Sequence, residues 1–395
     1  MVTPISEEEY AARRTRVREI ARAQGATGYV VFNPTYVTYL TGFRFLSTER
    51  PVIYLQNATG DDVIFVPEFE LERTQAEANF DRIETYLEYP GPEHPLVVLA
   101  RVVADLGLNH TIAADTDGYP GILGYVGPSL SAVTNAKVIE IADDIEQLLA
   151  RKSPAELELI RESGRWCSYA HRLLQQYSRP GATEAEASVR AQAETTLALF
   201  AEVGASGRLA SGEVVKAGYR GQIGTRSSWA HAVAHNIEFH PGDVLVSETG
   251  APIWGYQAEL ERTMVIGKPT DHVRWLFDHM LAARQAALDS IVPGATAADV
   301  DRAVNTYFQK HDLTSYWRQH VGHGTGLRGH EEPFIDIGNP LPLKPGMVFT
   351  LEPGLYDPKV GGFRHSDTVA VTEDGYELLT DYPDDLESLI IPEFA

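Results

Sequence analysis

A repeated motif in the second half of the chain places the strongest constraint on its fold. Pro241-Gly-Asp-Val-Leu-Val-Ser-Glu-Thr-Gly250 recurs as Pro345-Gly-Met-Val-Phe-Thr-Leu-Glu-Pro-Gly354, and a shorter Pro-Gly-Ala-Thr motif also occurs twice. In each copy a Pro-Gly turn precedes an apolar strand that ends at a glutamate, Glu248 or Glu352. Duplicated halves of this kind bring matching strands together about a pseudo-two-fold axis. The sequence therefore predicts a duplicated helix–sheet domain with a site between its halves.

The strand that follows the first copy carries an unusual row of acidic side chains. Because successive side chains of a strand point to opposite faces, Gln257, Glu259, Glu261 and Thr263 share one face of Tyr256–Thr263. Buried carboxylates are costly without a compensating cation. The pattern predicts a cation at this face, either a metal ion or a positively charged substrate. We also expect Tyr256-Gln-Ala-Glu259 to correspond, within the repeat, to Phe363-Arg-His-Ser366.

The chain is long enough for two domains. With 395 residues it exceeds the size at which single cores usually stop growing. Helical and apolar strand patterns alternate over 1–146, which predicts a small α/β domain with a mixed sheet. Ser153, Pro154 and Glu156 then form a strong helix-entry signal. We therefore predict domains at 1–146 and 152–395.

Composition excludes several classes of function. A net charge of −22 argues against binding to nucleic acid or to anionic membranes. The single cysteine, Cys167, excludes an internal disulfide framework. The acidic N-terminus is unlike a signal peptide, and no apolar run is long enough to span a bilayer. We expect a cytoplasmic protein that acts on a small molecule.

Four motifs together resemble those of the pita-bread superfamily, which includes methionine aminopeptidase, Xaa-Pro dipeptidase and creatinase. They are Gly322-His-Gly-Thr-Gly326, His330-Glu331, Leu351-Glu-Pro-Gly-Leu-Tyr356 and Asp367-Thr-Val-Ala-Val-Thr-Glu-Asp-Gly375. The resemblance implies a mixed α/β (α+β) fold, in which a creatinase/prolidase-type N-terminal domain precedes a C-terminal pita-bread domain. It also implies a homodimer.

The metallopeptidases of that superfamily hold two metal ions with two Asp, one His and two Glu ligands. By resemblance these positions fall on Glu248, Glu259, His323, Glu352 and Ser366. Both Asp positions are thus lengthened by a methylene, and the last Glu position carries a neutral hydroxyl. One reading of this set is a divergent Xaa-Pro dipeptidase or aminopeptidase. It would bind one divalent metal such as Mn, Fe, Co or Zn through Glu248, Glu259, His323 and Glu352.

The metal-free member, creatinase, offers a second comparison. Trp229-Ala-His231 and Ala258-Glu-Leu-Glu-Arg-Thr263 resemble its active-site segments. In creatinase the cation that compensates the buried carboxylates is the guanidinium group of the substrate. The main prediction is therefore a hydrolase without a cofactor that cleaves a non-peptide C–N bond in a small amidino, guanidino or cyclic amidine carboxylate. The predicted catalytic residues are His231, Glu261, His323, Glu352 and His330, and the predicted substrate-binding residues are Glu248, Glu259, Tyr256, Arg328, Arg50 and Ser366.

A third reading comes from a different functional class. Some proteins of this fold keep the scaffold without catalysis and serve as binding proteins. Retention of His231 and His323 beside Glu261 and Glu352 argues against a silent scaffold.

Overall fold

The computed structural model describes residues 4–78, 80–203 and 214–393. The chain divides into two compact units, Ile5–Leu149 and a second unit that begins at Ala150. The predicted domains were 1–146 and 152–395. Among the described residues, no helix combines the length and the apolar character that a membrane span requires.

A six-stranded mixed sheet is the framework of the N-terminal unit. Its strands are β1 (Gly28–Val31), β2 (Ile53–Asn57), β3 (Asp62–Pro67), β4 (Ile83–Tyr86), β5 (Thr111–Ala114) and β6 (Lys137–Glu140). Their order is β4-β3-β2-β1-β5-β6. β1–β2 and β2–β3 are antiparallel, whereas β3–β4, β1–β5 and β5–β6 are parallel. The mixed sheet confirms the predicted α/β character.

Helices alternate with these strands along the chain. They are α1 (Glu7–Ala23), α2 (Pro34–Thr41), α3 (Leu71–Glu77), α4 (Pro95–Asp105), α5 (Leu130–Thr134) and α6 (Ala142–Ala150), with short 3-10 helices at Glu68–Glu70 and Ile122–Gly124. The side chain of Ser6 accepts the N–H of Glu9 and so caps α1. Gly42 ends α2 with φ +71°, a conformation that glycine adopts without strain.

The second unit contains four helices and several small sheets. Its helices are α7 (Pro154–Tyr177), α8 (Glu184–Val203), α9 (Asp271–Asp289) and α10 (Ala297–Lys310), with 3-10 helices at Gly224–Ser228, Thr314–Tyr316 and Glu387–Leu389. Its strands are β7 (Lys216–Gly218), β8 (Val244–Val246), β9 (Glu248–Gly250), β10 (Glu259–Leu260), β11 (Thr263–Ile266), β12 (Gly322–Gly324), β13 (Glu331–Ile335), β14 (Val348–Leu351), β15 (Gly354–Asp357), β16 (Gly361–Arg364), β17 (Asp367–Val371), β18 (Tyr376–Leu378) and β19 (Ile390–Ile391). The sheet orders are β10-β9-β7, β19-β11-β8, β13-β12-β14-β17-β18 and β15-β16.

The predicted entry into α7 has the expected capping geometry. The Ser153 hydroxyl accepts the Glu156 N–H, and the Glu156 carboxylate accepts the Ser153 N–H. Thr296 and Asp299 form the same reciprocal box at the start of α10. Such caps satisfy backbone donors that the first helical turn leaves unpaired.

The element order displays the predicted duplication. The helix pair α7–α8 precedes β8–β11, and the pair α9–α10 precedes β14–β17. In the first half β8 pairs antiparallel with β11, and in the second half β14 pairs antiparallel with β17. The glutamates of the two motifs occupy matching places, since each follows the first strand of its half.

Hydrogen bonds between the halves locate the local pseudo-two-fold axis. The backbones of Glu261 and Ser366 exchange two N–H···O bonds of 3.0 and 3.1 Å. On one side the N–H of Glu259 donates to Thr368 Oγ1, and on the other the N–H of Arg364 donates to Thr263 Oγ1, each at 2.8 Å. Glu259 therefore corresponds to Arg364. The predicted correspondence of Glu259 with Ser366 is wrong by two residues, because the loops between the matched strands differ in length.

Candidate functional site

A cavity of about 470 Å³ lies between the two halves of the second unit. It brings together most of the predicted catalytic and substrate-binding residues: His231, Glu248, Glu259, Glu261, His323, His330 and Glu352. The acidic face predicted for the strand after the first motif is present, because Gln257, Glu259 and Glu261 all line this cavity.

His323 reaches the cavity from a strand that crosses its neighbour closely. A Cβ atom on Gly322 would lie 1.9 Å from the carbonyl oxygen of Thr350, so only glycine fits there. The backbone N–H of His323 donates to Thr350 Oγ1 at 3.1 Å. Its Nδ1 lies 3.1 Å from the carbonyl oxygen of Gly324, and its Nε2 lies 3.2 Å from Glu352 Oε1. The ring is thus fixed, with Nε2 directed at the carboxylates.

Glu259, His323 and Glu352 form a compact group of ligand atoms. One carboxylate oxygen from each glutamate and a ring nitrogen of His323 all lie within 4.8 Å of one another. Ser366 Oγ donates to Glu259 Oε1 at 2.8 Å, and Thr350 Oγ1 lies 3.3 Å from Glu352 Oε1. Two carboxylates and an imidazole, each oriented by a neighbouring hydroxyl or carbonyl, are a ligand set typical of divalent metals.

The protonation of these groups reflects their crowding. Removal from water, together with the charges of Glu261 and Glu352, raises the pKa of Glu259 well above its ordinary value. Burial disfavours a charged His323, but its hydrogen bond to Glu352 and the nearby carboxylates outweigh burial and raise its pKa to about 9. Burial also disfavours ionisation of Glu352, yet His323 and Arg364 lower its pKa to about 2. Without a metal, protons therefore supply part of the missing positive charge.

Arg364 is an important cavity residue that the sequence analysis did not single out. Its Nη2 donates to Glu261 Oε1 at 2.5 Å while its Nε donates to Oε2 of the same carboxylate. Its Nε also lies 3.6 Å from Glu352 Oε2. The side chains of Arg364 and Glu261 are both 2% exposed. Burial raises the pKa of Glu261 to about 7, against the charge of Arg364, which lowers it.

A second arginine, Arg220, was also missed. It follows β7, whose Gly218 lies opposite Glu248 in β9. Arg220 has a left-handed backbone with φ +51°, a strained conformation for a residue other than glycine. Its Nη2 lies 2.7 Å from Glu248 Oε2 and 3.5 Å from Glu261 Oε1.

Histidines line another part of the cavity. The ring of His330 stacks on that of His323, with centroids 3.6 Å apart and planes 12° from parallel. Partial desolvation and the neighbouring His323 lower the pKa of His330, so this ring is mainly neutral at pH 7. His231 is exposed to solvent at the cavity. His320, which the sequence analysis did not single out, also lines the cavity.

Four predicted substrate-binding residues do not line the cavity: Tyr256, Arg328, Arg50 and Ser366, although Ser366 donates a hydrogen bond to Glu259. The hydroxyl of buried Tyr256 donates to Glu156 Oε1 at 2.7 Å, so this ring braces α7. The half-buried Arg328 donates its backbone N–H to Glu331 Oε1 at 2.9 Å. Arg50 belongs to the N-terminal unit, where it forms ion pairs with Glu49 and Glu88.

Comparison with known proteins identifies the family. Residues 158–373 match Metallopeptidase family M24, and residues 13–148 match the Creatinase/Prolidase N-terminal domain. The chain belongs to metallopeptidase family M24. This membership confirms the resemblance to the pita-bread superfamily and the predicted fold class.

Relatives match this M24 chain over two thirds of its length or more. A probable dipeptidase PepE of Mycobacterium tuberculosis is 29% identical over 97% of both chains. An Xaa-Pro dipeptidase of Pyrococcus furiosus is 30% identical over 67% of this chain and 74% of its own. The crystal structure of dipeptidase PepE from Mycobacterium ulcerans superposes with a TM-score of 0.82 at 26% identity, covering 99% of this chain and 100% of that one.

Two predictions made from the sequence are wrong. The main prediction was a metal-independent hydrolase of a non-peptide amidino or guanidino compound, but the family is one of metallopeptidases and these relatives are named dipeptidases. The prediction of no cofactor fails with it, because Glu259, His323 and Glu352 form a ligand group. The error arose because the short segment around Glu261 resembles creatinase, and this resemblance was given more weight than the residues at the metal-ligand positions.

The donor groups fit one metal ion better than two. Glu259, His323 and Glu352 supply three ligands and leave further coordination positions for water or substrate. The carboxylate of Glu248 is paired with Arg220. Ser366 offers a hydroxyl that already donates to Glu259, where a second ion would need a bridging carboxylate.

Proposed function

We propose that this M24 chain is a metal-dependent dipeptidase that hydrolyses the peptide bond of small peptides, with Xaa-Pro dipeptides as the first substrates to test. It uses a single divalent ion held by Glu259, His323 and Glu352. The observation that carries the proposal is the convergence of these three ligand atoms within 4.8 Å inside a cavity of about 470 Å³. The cavity size suits a short peptide.

The residues of the chain divide the chemistry among them. Bound there, a divalent ion would polarise the scissile carbonyl and lower the pKa of a bound water. Glu261, fixed by Arg364, faces the cavity beside the ligands and is placed to accept a proton from the attacking water. His231 and His330 are the imidazoles placed to deliver a proton to the departing nitrogen.

The experiment is an assay of metal-stripped protein with and without added Mn²⁺. Hydrolysis of an Xaa-Pro dipeptide is expected to disappear after chelation and to return when Mn²⁺ is restored. His323→Ala is expected to abolish both Mn²⁺ binding and turnover. The matched control is His240→Ala, since His240 is exposed on a turn and lies outside the cavity. Failure to hydrolyse Xaa-Pro or any other dipeptide, with Mn²⁺ present, would refute the proposal.

We also propose that the protein forms a homodimer, by resemblance to the superfamily, and that it is cytoplasmic. Light scattering on the purified protein tests the first expectation, and fractionation of the source cells tests the second.

A further inference from the structure

Among the residues that the structure describes, the ionised groups around the cavity balance the charge of a single divalent ion. Four glutamates line it, namely Glu248, Glu259, Glu261 and Glu352. Two arginines form ion pairs with these carboxylates, Arg220 and Arg364. Lys216 and Arg318 also border the cavity, but neither forms an ion pair with a described residue, and water screens their exposed charges. When the four carboxylates are ionised, their negative charge exceeds the positive charge of the two arginines by the amount that a single divalent ion neutralises. A second ion would leave an excess of positive charge.

Arg220 occupies the part of the cavity in which a second ion would find its ligands. Its Nη2 lies 2.7 Å from Glu248 Oε2 and 3.5 Å from Glu261 Oε1. A cation between two carboxylates at these distances has the role that a bound metal would have.

The backbone holds Arg220 in this place. Its left-handed conformation, φ +51°, continues into Gly221 with φ +75°, where a Cβ atom would lie 2.2 Å from the carbonyl oxygen of Val233. A strained residue that persists beside a site is held there by its surroundings. The turn therefore places the Arg220 side chain, which is 41% exposed, within reach of Glu248.

We propose that the guanidinium of Arg220 replaces a second metal ion and makes the centre mononuclear. Arg220 neutralises Glu248 and Glu261, and Glu259, His323 and Glu352 are left to bind the one ion. Ser366 supports this arrangement. Its hydroxyl donates a hydrogen bond to Glu259 Oε1, and it does not supply the negative charge of the carboxylate that a second ion would require. The inference rests on the proposed function, since it takes the three-residue metal site as given.

The test is the number of Mn²⁺ ions bound by the full-length protein after chelation and titration, checked by elemental analysis and by the electron paramagnetic resonance of bound Mn²⁺. The wild type is expected to bind one ion with the signal of an isolated centre. The double variant Arg220→Met with Ser366→Glu removes the guanidinium and restores the missing carboxylate. It is expected to bind two ions with the signal of a spin-coupled pair.

The matched control keeps the charge at position 220. Arg220→Lys combined with Ser366→Glu is expected to remain at one ion, because the ammonium still occupies Glu248. Binding of two ions by the wild type or by this control would overturn the inference, and in the wild type also the single-ion part of the proposed function, but metal-dependent dipeptidase activity would still stand. A wild type that binds no ion would instead overturn the proposed function, and the inference with it.

A single substitution keeps the inference testable if the double variant does not fold. Arg220→Met removes the ion pairs with Glu248 and Glu261 but leaves Glu261 paired with Arg364, and Arg220 Nε has no hydrogen-bond partner among the described residues to lose. Loss of a positive charge a few ångströms from the second position is expected to strengthen binding of a second Mn²⁺ by about tenfold. Unchanged affinity for a second ion, in a variant whose circular dichroism matches that of the wild type, would overturn the inference.

Discussion

Hydroxyl groups orient the ligand residues of the candidate metal centre. Thr350 serves two of them, because its Oγ1 accepts the backbone N–H of His323 and lies 3.3 Å from Glu352 Oε1. Thr368 holds the backbone of Glu259, and Ser366 holds its carboxylate. Such outer partners fix ligand orientation, and their loss weakens metal binding even though they never touch the ion.

Removal of the Thr350 hydroxyl is expected to weaken metal binding while the fold is retained. Thr350→Val keeps the volume of this fully buried side chain but deletes the contact with Glu352. We expect Mn²⁺ affinity to fall by about 10- to 100-fold, measured by calorimetric titration. The matched control is Thr195→Val, because Thr195 is equally buried and its hydroxyl has no partner among the described residues. Equal affinities in the two variants would contradict this role of Thr350.

At the scale of elements, the site depends on how closely β12 and β14 approach each other. Gly322 permits the close contact with Thr350 of β14, and Gly324 permits a close contact with β13, because a Cβ atom on Gly324 would lie 2.3 Å from the carbonyl oxygen of Glu332. The two glycines allow His323 to stand between neighbouring backbones. The sequence Gly-His-Gly is therefore a packing requirement as well as a family motif.

Gly322→Ala is expected to separate these strands and so impair both stability and metal binding. Overpacking of this kind costs about 1–3 kcal/mol, and the accompanying shift of His323 moves Nε2 away from Glu352. Urea unfolding and Mn²⁺ titration measure the two effects. Gly338→Ala is the control, because Gly338 is exposed and its added Cβ would meet only the side chain of Asp336, at 3.2 Å. A stable variant with normal Mn²⁺ affinity would show that the strands can move apart freely.

Some parts of the fold and of the candidate site could be predicted from the sequence, and others could not. The entry into α7 at Ser153, the strands of the duplicated motif and the acidic face with Glu259 follow from local patterns, and the structure agrees with each. Arg220 and Arg364 could not be predicted in this way, because their carboxylate partners lie 12 or more residues away along the chain and nothing local identifies them. The alternation of the strand identifies carboxylates that need cations, but it does not reveal which cation each one receives.

At the scale of the whole molecule, the unfolding of the second unit can be followed on its own. All five tryptophans, Trp166, Trp229, Trp254, Trp275 and Trp317, belong to the second unit, so tryptophan fluorescence reports on that unit alone. The same unit buries two histidines completely, His171 and His365.

The buried histidine in α7 is expected to make the second unit sensitive to acid. Burial and the charge of Arg262 lower the pKa of His171 to about 3. Its Nε2 lies 2.5 Å from Ser247 Oγ, and its Nδ1 has no hydrogen-bond partner among the described residues. In the unfolded chain His171 takes up a proton near pH 6.5, whereas in the folded chain it does not. The part of the folding stability that depends on a neutral His171 is therefore fully present above about pH 6.5 and is lost as the pH falls toward 3.

Urea unfolding followed by tryptophan fluorescence, at intervals from pH 7.5 to pH 5, measures this effect. His171 alone is expected to cost about 1.4 kcal/mol for each pH unit below 6.5. His171→Gln removes the titrating ring, so its stability should fall less steeply with acid than that of the wild type, even if the variant is less stable at pH 7.5. His240→Gln is the control, because His240 is an exposed histidine of the same unit and its substitution leaves the buried ring of His171 in place, so the acid sensitivity due to His171 should remain. Parallel slopes for the wild type and His171→Gln would mean that the folded unit admits a proton to His171. The acid sensitivity of the second unit would then have to be assigned to its other buried groups.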